Sequence, residues 1–205
     1  MFKKILLILV FSLIASGIVF ADDDDTGKEE GKTKSPKHTI TIDATSTAAS
    51  LFASLLLGDT LGLNSFIIIS ALQYEYQLTY RTSLSGRFGI KYLSFADLFY
   101  ATAMSFEGHF RFYPSARAFF LDAEAGYALF MVSEQNNSHL ATIGGKLGWR
   151  IDFGKPGGFV LEPALGYLFP IGKIRSDYSD IGTDFFIKHY FIGGFQIGLN
   201  MGARF

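Results

Sequence analysis

Charged side chains recur at alternate positions through most of this chain, and the residues between them are apolar or aromatic. Glu75, then Arg87 and Lys91, then Glu107, His109 and Arg111, then Asp122 and Glu124, then Lys146, Arg150 and Asp152, then Glu162, and last Arg204 follow that rule. A spacing of two is the period of a β-strand, so these groups share one face of a sheet. On that face the acids equal the bases in number, with one imidazole among them. Equal numbers are what mutual pairing needs, because an unpaired charge held away from water costs roughly several kcal/mol. A channel that selects ions by fixed charge would show one sign in excess. No glycine-rich phosphate loop, zinc-ligand spacing or nucleophile elbow occurs in a setting that could support it, so no cofactor, metal or catalytic motif is expected. The chemistry on offer is a network of ion pairs.

The elements that must hold this network are read from the opposite, apolar set. Leu72, Tyr74, Tyr76, Leu78 and Tyr80 mark a second strand over 66–80, and Leu84, Phe88, Ile90 and Tyr92 a third over 84–95. Met104, Phe106, Phe110 and Phe112 mark the fourth; Phe119, Leu121, Tyr127 and Leu129 the fifth; Ile143, Leu147, Trp149, Ile151 and Phe153 the sixth. Phe159, Leu161, Leu165, Tyr167 and Phe169 mark the seventh, and an eighth runs from about Phe185 to the end. A first strand begins at Thr39, with Ile40 and Ile42 set against Thr41 and Asp43. Beyond it, 48–57 is small and apolar, with a mixed period that fits a bulged strand, a loop segment or a helix. Eight antiparallel strands are the smallest ordinary membrane barrel.

The links support the same count. Short, turn-rich links at 81–83, 113–116 and 154–158 alternate with longer ones at 58–65, 94–99, 134–138 and 171–184, as the two ends of such a barrel require. If Phe153 and Phe159 flank their turn as partners, Arg150 stands opposite Glu162; if Ser133 faces Asn137, Glu124 stands opposite Lys146. Aromatics gather near strand ends. Tyr80, Phe112, Phe119, Phe153, Phe159 and Phe205 would form one interfacial girdle, and Phe66, Tyr92, Phe95, Phe99, Phe130, Tyr167 and Phe169 the other.

Residues 1–21 read as an export signal: Lys3 and Lys4, an apolar run from Ile5 to about Leu13, then Val19-Phe20-Ala21 before Asp22. Residues 22–37 are charged and lack large apolar side chains, which predicts a disordered tether. Residues 38–205 remain for the barrel. Hydrophobic residues make up 49% of the chain, yet after residue 21 no run is long enough for a membrane-spanning helix. Apolar content delivered in alternation is what a lipid-facing sheet needs, since the closed ladder satisfies the backbone. The absence of cysteine rules out a disulfide staple and a lipidated Cys. A formal net charge of −1 gives no footprint for nucleic acid.

The last eleven residues alternate to the terminus, with Gln196 and Gly198 forming a polar-x-Gly element followed by Leu199, Met201, Ala203 and a terminal Phe205. This resembles the closing strand of bacterial outer-membrane β-barrels, and the resemblance implies that the barrel-assembly machinery reads it as an insertion signal. Over about 39–205 the chain resembles small barrels of the OmpA, OmpX and OmpW type and the "outer membrane protein beta-barrel domain" families. Gly145 to Phe159 followed by Leu161-Glu162-Pro163 looks like a hairpin of an uncharacterised branch of these. No peptidoglycan-binding domain follows, which departs from the OmpA pattern. The resemblance implies an all-β, eight-stranded antiparallel up-and-down transmembrane β-barrel. It would be a monomer in the outer membrane of a double-membraned bacterium, surrounded by outer-membrane lipid, with surface loops, chiefly 171–184, that meet a host or environmental ligand. The expected role is structural or adhesin-like, with a charge-filled lumen and no enzymatic activity.

Other classes make different demands. Some eight-stranded outer-membrane barrels modify lipid A, using His with Ser or Asp near the outer rim. His139 beside Ser138, and His189 near Tyr178, Asp180 and Asp184, are the residues to test for that role. A small-solute pore or transporter of the OmpW type would need an open lumen. A secreted lipocalin-like barrel would need apolar residues inside and polar ones outside.

Overall fold

The computed structural model describes residues 37–56, 65–95, 99–114, 118–132, 137–154, 158–174 and 187–205. The export signal, residues 22–36 of the tether and the greater part of the 171–184 loop lie outside the described residues. The strands are β1 (His38–Asp43), β2 (Phe66–Gln77), β3 (Thr82–Phe95), β4 (Phe99–Phe112), β5 (Phe119–Val132), β6 (Ser138–Trp149), β7 (Ile151–Phe153), β8 (Phe159–Ile171) and β9 (Gly194–Arg204). From β1 to β6 each strand pairs antiparallel with the next, β6 and β7 both pair with β8, β8 pairs with β9, and β9 pairs with β1, so the sheet closes on itself. The architecture is an all-β, antiparallel up-and-down barrel of eight strands, because β6 and β7 are two segments of one stave.

That stave is interrupted for a local reason. Gly148 faces Ala164 and Ile151 faces Leu161, an unbroken register that sets Trp149 across from Pro163 and Arg150 across from Glu162. Proline has no N–H to contribute, so the ladder lapses there and resumes beyond it. Phe153 pairs with Phe159, and the opposition of Arg150 and Glu162 expected from the sequence is found.

The faces are those of a barrel turned inside out relative to a water-soluble one. Leu72, Leu84, Phe106, Phe110, Leu121, Ile143 and Leu165 are exposed on the outer wall, whereas Glu75, Glu107, Arg111, Asp122, Arg150 and Glu162 are buried inside. A lipocalin-like distribution is the reverse of this. Inward apolar residues collect at the two ends of the lumen. Phe120 is buried against Tyr113 at one end; Phe130, Leu140, Ala128 and Ile192 pack together at the other. Phe130, expected in an outer girdle, therefore points inward and belongs to this plug.

Two stretches depart from the expected strands. β1 stops at Asp43, and residues Ala44–Leu55 form a helix, α1. Its sequence, ATSTAASLFASL, explains how a helix can sit in the wall. Asp43 caps it, accepting from Ser46 N–H at 2.9 Å. Three hydroxyls then stand in for the missing strand. Ser54 Oγ accepts from Ile67 N–H at 2.7 Å and Ser50 Oγ from Ile69 N–H at 3.0 Å, along the free edge of β2. Thr45 Oγ1 accepts from Leu199 N–H at 2.9 Å on the free edge of β9. Side-chain hydroxyls thus satisfy backbone groups that the missing strand leaves without ladder partners, while Phe52, Leu55 and Leu56 stay on the exposed face. At the other end of the chain, Ile187–Ile192 is a helical turn, so the last strand begins at Gly194 and not near Phe185. Gly194 has φ +87°, and a Cβ there would lie 1.7 Å from His189 O, which explains the glycine at this reversal.

Candidate functional site: the ion-pair network of the lumen

The central group is Arg111, fully buried on β4. Its guanidinium reaches three carboxylates on three other staves: Glu75 of β2 at 2.7 Å, Asp122 of β5 at 2.9 Å and Glu162 of β8 at 3.0 Å. Arg150 lies beside it, donating through Nε to Glu162 Oε1 at 2.7 Å and through Nη2 to Glu75 Oε2 at 2.8 Å. Rings close this cluster on the end of the lumen nearest the 113–118 link. Arg111 stacks over Phe120 at 4.3 Å and Arg150 over Tyr113 at 5.4 Å, both within cation–π range. Burial pushes the Tyr113 phenol up to about 12, so it remains a donor to Glu75 Oε1 at 3.0 Å.

Further along the lumen, His109 lies among three carboxylates, with Asp122 at 3.2 Å and Glu124 and Glu107 each at 3.6 Å. Lys146 meets Glu124 at 2.5 Å, and Arg87 bridges Glu107 and Asp43, both at 3.3 Å. Strand-to-strand spacing is close here. A Cβ on Gly144 would lie 2.8 Å from Glu124 Oε1, so the glycine makes room for the carboxylate. At the rim, Arg204 pairs with Asp152 at 3.3 Å and donates to Gln77 at 2.7 Å.

The network gathers the charged residues that the alternation placed on the inner face except Lys91, whose ammonium donates to the carbonyls of Phe191 and Ile192, and with three corrections. Asp152 is at the rim, its side chain 44% exposed, because β7 is the short end of its stave. Glu124 faces Gly144 in the ladder, and Asp122 is the residue opposite Lys146. The 133–137 link is too long to fix a register by counting, and the true pairing is displaced by two residues; Lys146 still meets Glu124 because it reaches diagonally. Third, Asp43 joins the network. Its alternation with Thr41 on the inner face was the available signal. Asp43 adds an acid to a set otherwise equal in sign, and His109, ringed by carboxylates, is the group placed to supply the matching positive charge.

Donor atoms of Glu107, His109 and Glu124 lie within 4.8 Å of one another, a spacing that a metal ion could draw together. Each carboxylate already meets a protein cation, Arg87 or Lys146, and Asp122 takes His109 Nδ1, so ion pairing accounts for the cluster. The two rim histidines do not form catalytic pairs among the described residues. His139 is exposed on the outer wall, bonded to the Tyr127 hydroxyl, while Ser138 is buried on the opposite face. His189 Nδ1 lies 2.9 Å from the Tyr167 hydroxyl; Tyr178, Asp180 and Asp184 lie outside the described residues.

The residues of the C-terminal element occupy β9. Leu199, Met201 and Ala203 are on the outer face with exposed Phe205, and Gln196 and Gly198 are on the inner one. Phe205 and His38 exchange backbone hydrogen bonds, both 2.9 Å, at the β1–β9 seam. Compared with known proteins, the chain matches no family model, no curated protein and no solved structure.

Proposed function

We propose that this chain is an outer-membrane β-barrel protein of a double-membraned bacterium, with a structural or surface-interaction role and a lumen filled by its own side chains. The observation that carries the reading is the inversion of the barrel: apolar and aromatic side chains cover the outer wall, and paired charges fill the inside. Water would penalise that outer wall, and lipid would not. The resemblance of the last strand to an outer-membrane insertion signal, and an export signal at 1–21, support the same location. The filled lumen favours a non-conducting role over a pore, since ion pairs occupy the space through which a solute would pass. Function then resides in the loops, chiefly 171–184, presented to a host or environmental ligand, with outer-membrane lipid and the barrel-assembly machinery as the other partners. The chain acts as a monomer and needs no catalytic residue for this role.

The test is membrane fractionation with gel migration compared before and after boiling. The expected result is recovery in the outer-membrane fraction and a band that shifts on heating. A soluble periplasmic protein with no heat-modifiable form would overturn the reading. Protease added to intact cells should cut near Lys173 or Arg175 and leave the barrel core whole; cleavage confined to opened cells would reverse the topology.

A further inference from the structure

Between the ion pairs and the apolar plug the lumen holds a cavity of about 250 Å³. A water's share of liquid volume is about 30 Å³, so the space takes roughly eight waters, or a small polar head with its first few carbons. Arg87, Glu107 and Lys146 form its polar side, and the turn at Phe191 and Ile192 covers it. The cavity also reaches the wall. Phe195 and Ile197 line it although these two residues are 64% and 68% exposed. This is where β9 has lost β1: pairing with β1 ends at Asn200, and Thr45 is the α1 side chain that bonds to the β9 edge beyond it, at Leu199. Replacing a strand by a helix has left the seam between α1 and β9 with fewer hydrogen bonds than a strand pair would have, beside a cavity.

Lys91 decides what such a cavity would hold. Its ammonium donates to the carbonyls of Phe191 at 2.7 Å and Ile192 at 3.2 Å, and no carboxylate lies within 4.0 Å of it among the described residues. Of the cations facing the cavity, Arg87 meets Asp43 and Glu107 and Lys146 meets Glu124, which leaves Lys91 as the one that meets no carboxylate among the described residues. An ammonium has three protons to donate, and two carbonyls leave one for an anion. We propose that the cavity binds the head of a single-chain carboxylate amphiphile, a fatty acid, which enters from the bilayer between α1 and β9 with its carboxylate on Lys91 and its tail across Phe195 and Ile197. The inference rests on the membrane reading above.

Gly198 supplies a clean probe, because it lines the cavity and a Cβ placed on it meets nothing within 4 Å. The experiment measures binding of laurate, dodecanol, acetate and inorganic phosphate to the full-length barrel in a nonionic detergent, with the heat shift on gels confirming that each variant is folded. Laurate is expected to bind with one molecule per barrel, dodecanol at least tenfold more weakly, and acetate and phosphate without measurable competition. Gly198→Phe should abolish laurate binding. Lys91→Met should weaken it at least tenfold and bring it level with dodecanol, and Lys91→Arg should restore the preference. Equal laurate uptake by the parent and Gly198→Phe would mean partition into the detergent belt and overturns the site. Competition by acetate or phosphate as strong as by laurate means a free-anion site, and unchanged selectivity in Lys91→Met removes the head-group assignment; either overturns the inference. A folded, heat-modifiable barrel that binds no laurate overturns the inference while leaving the membrane reading intact. A chain recovered soluble in the periplasm overturns both.

Discussion

Replacing Glu162 by alanine should be among the most damaging single changes in the lumen, and the structure gives its size. The carboxylate is 0% exposed and accepts from two guanidiniums, Arg111 at 3.0 Å and Arg150 at 2.7 Å. Breaking a buried pair by removing one partner costs about 3–5 kcal/mol. Neither arginine is wholly stranded, since Arg111 keeps Glu75 and Asp122 and Arg150 keeps Glu75, which places the cost near the lower end, about 3 kcal/mol. With a urea slope of about 2 kcal/mol/M, the unfolding midpoint should fall by about 1.5 M. Trp149, the one tryptophan of the chain, sits next to Arg150 on the outer wall and reports the transition by its emission in detergent or lipid. Asp152→Ala is the control: a rim ion pair with a 44% exposed carboxylate should cost less than about 1 kcal/mol. The pair Glu162→Leu with Arg150→Met should recover part of the loss, because apolar replacement of both partners leaves no unpaired charge. Equal midpoint shifts in Glu162→Ala and Asp152→Ala would refute the argument that burial sets the cost.

Deleting Phe205 removes the backbone exchange with His38 that closes the β1–β9 seam, so the amount of assembled barrel in outer-membrane fractions should fall, with aggregate or degraded chain in the periplasm; normal assembly would count against an insertion role. Ser54→Ala leaves Ile67 N–H unpaired in the wall and should cost about 1–3 kcal/mol in the same urea assay, whereas Ala53→Ser, which adds no missing partner, should not stabilise. Purified barrel in a planar bilayer should show no sustained conductance, since ion pairs fill the lumen; steady single-channel openings would refute the filled-lumen reading.

Much of the architecture was legible because a barrel offers each strand residue two environments, and a period of two assigns one of them locally. That is why the inner faces of β3, β4 and β6, with Arg87, His109 and Lys146, follow from alternation alone. A short turn also carries register, so the opposition of Arg150 and Glu162 could be counted back from Phe153 and Phe159. Counting failed across the longer 133–137 link, where nothing local fixes how two strands slide, and Glu124 and Lys146 met diagonally instead. Residues 48–57 were ambiguous because small apolar and hydroxyl residues suit a helix or a strand, and the choice of α1 depends on free edges of β2 and β9 that exist only after closure. Phe130, read as a girdle residue, shares its phase on β5 with Phe120, Asp122 and Glu124, so alternation already pointed it inward; only the seal that it makes with Leu140 and Ile192 depends on the closed barrel. The sequence by itself determined which side chains would be inside, since that follows from backbone geometry within each strand. Tertiary structure alone decided which of them would meet, because Arg111 takes its carboxylates from β2, β5 and β8, brought within reach of one guanidinium only when the sheet curls shut.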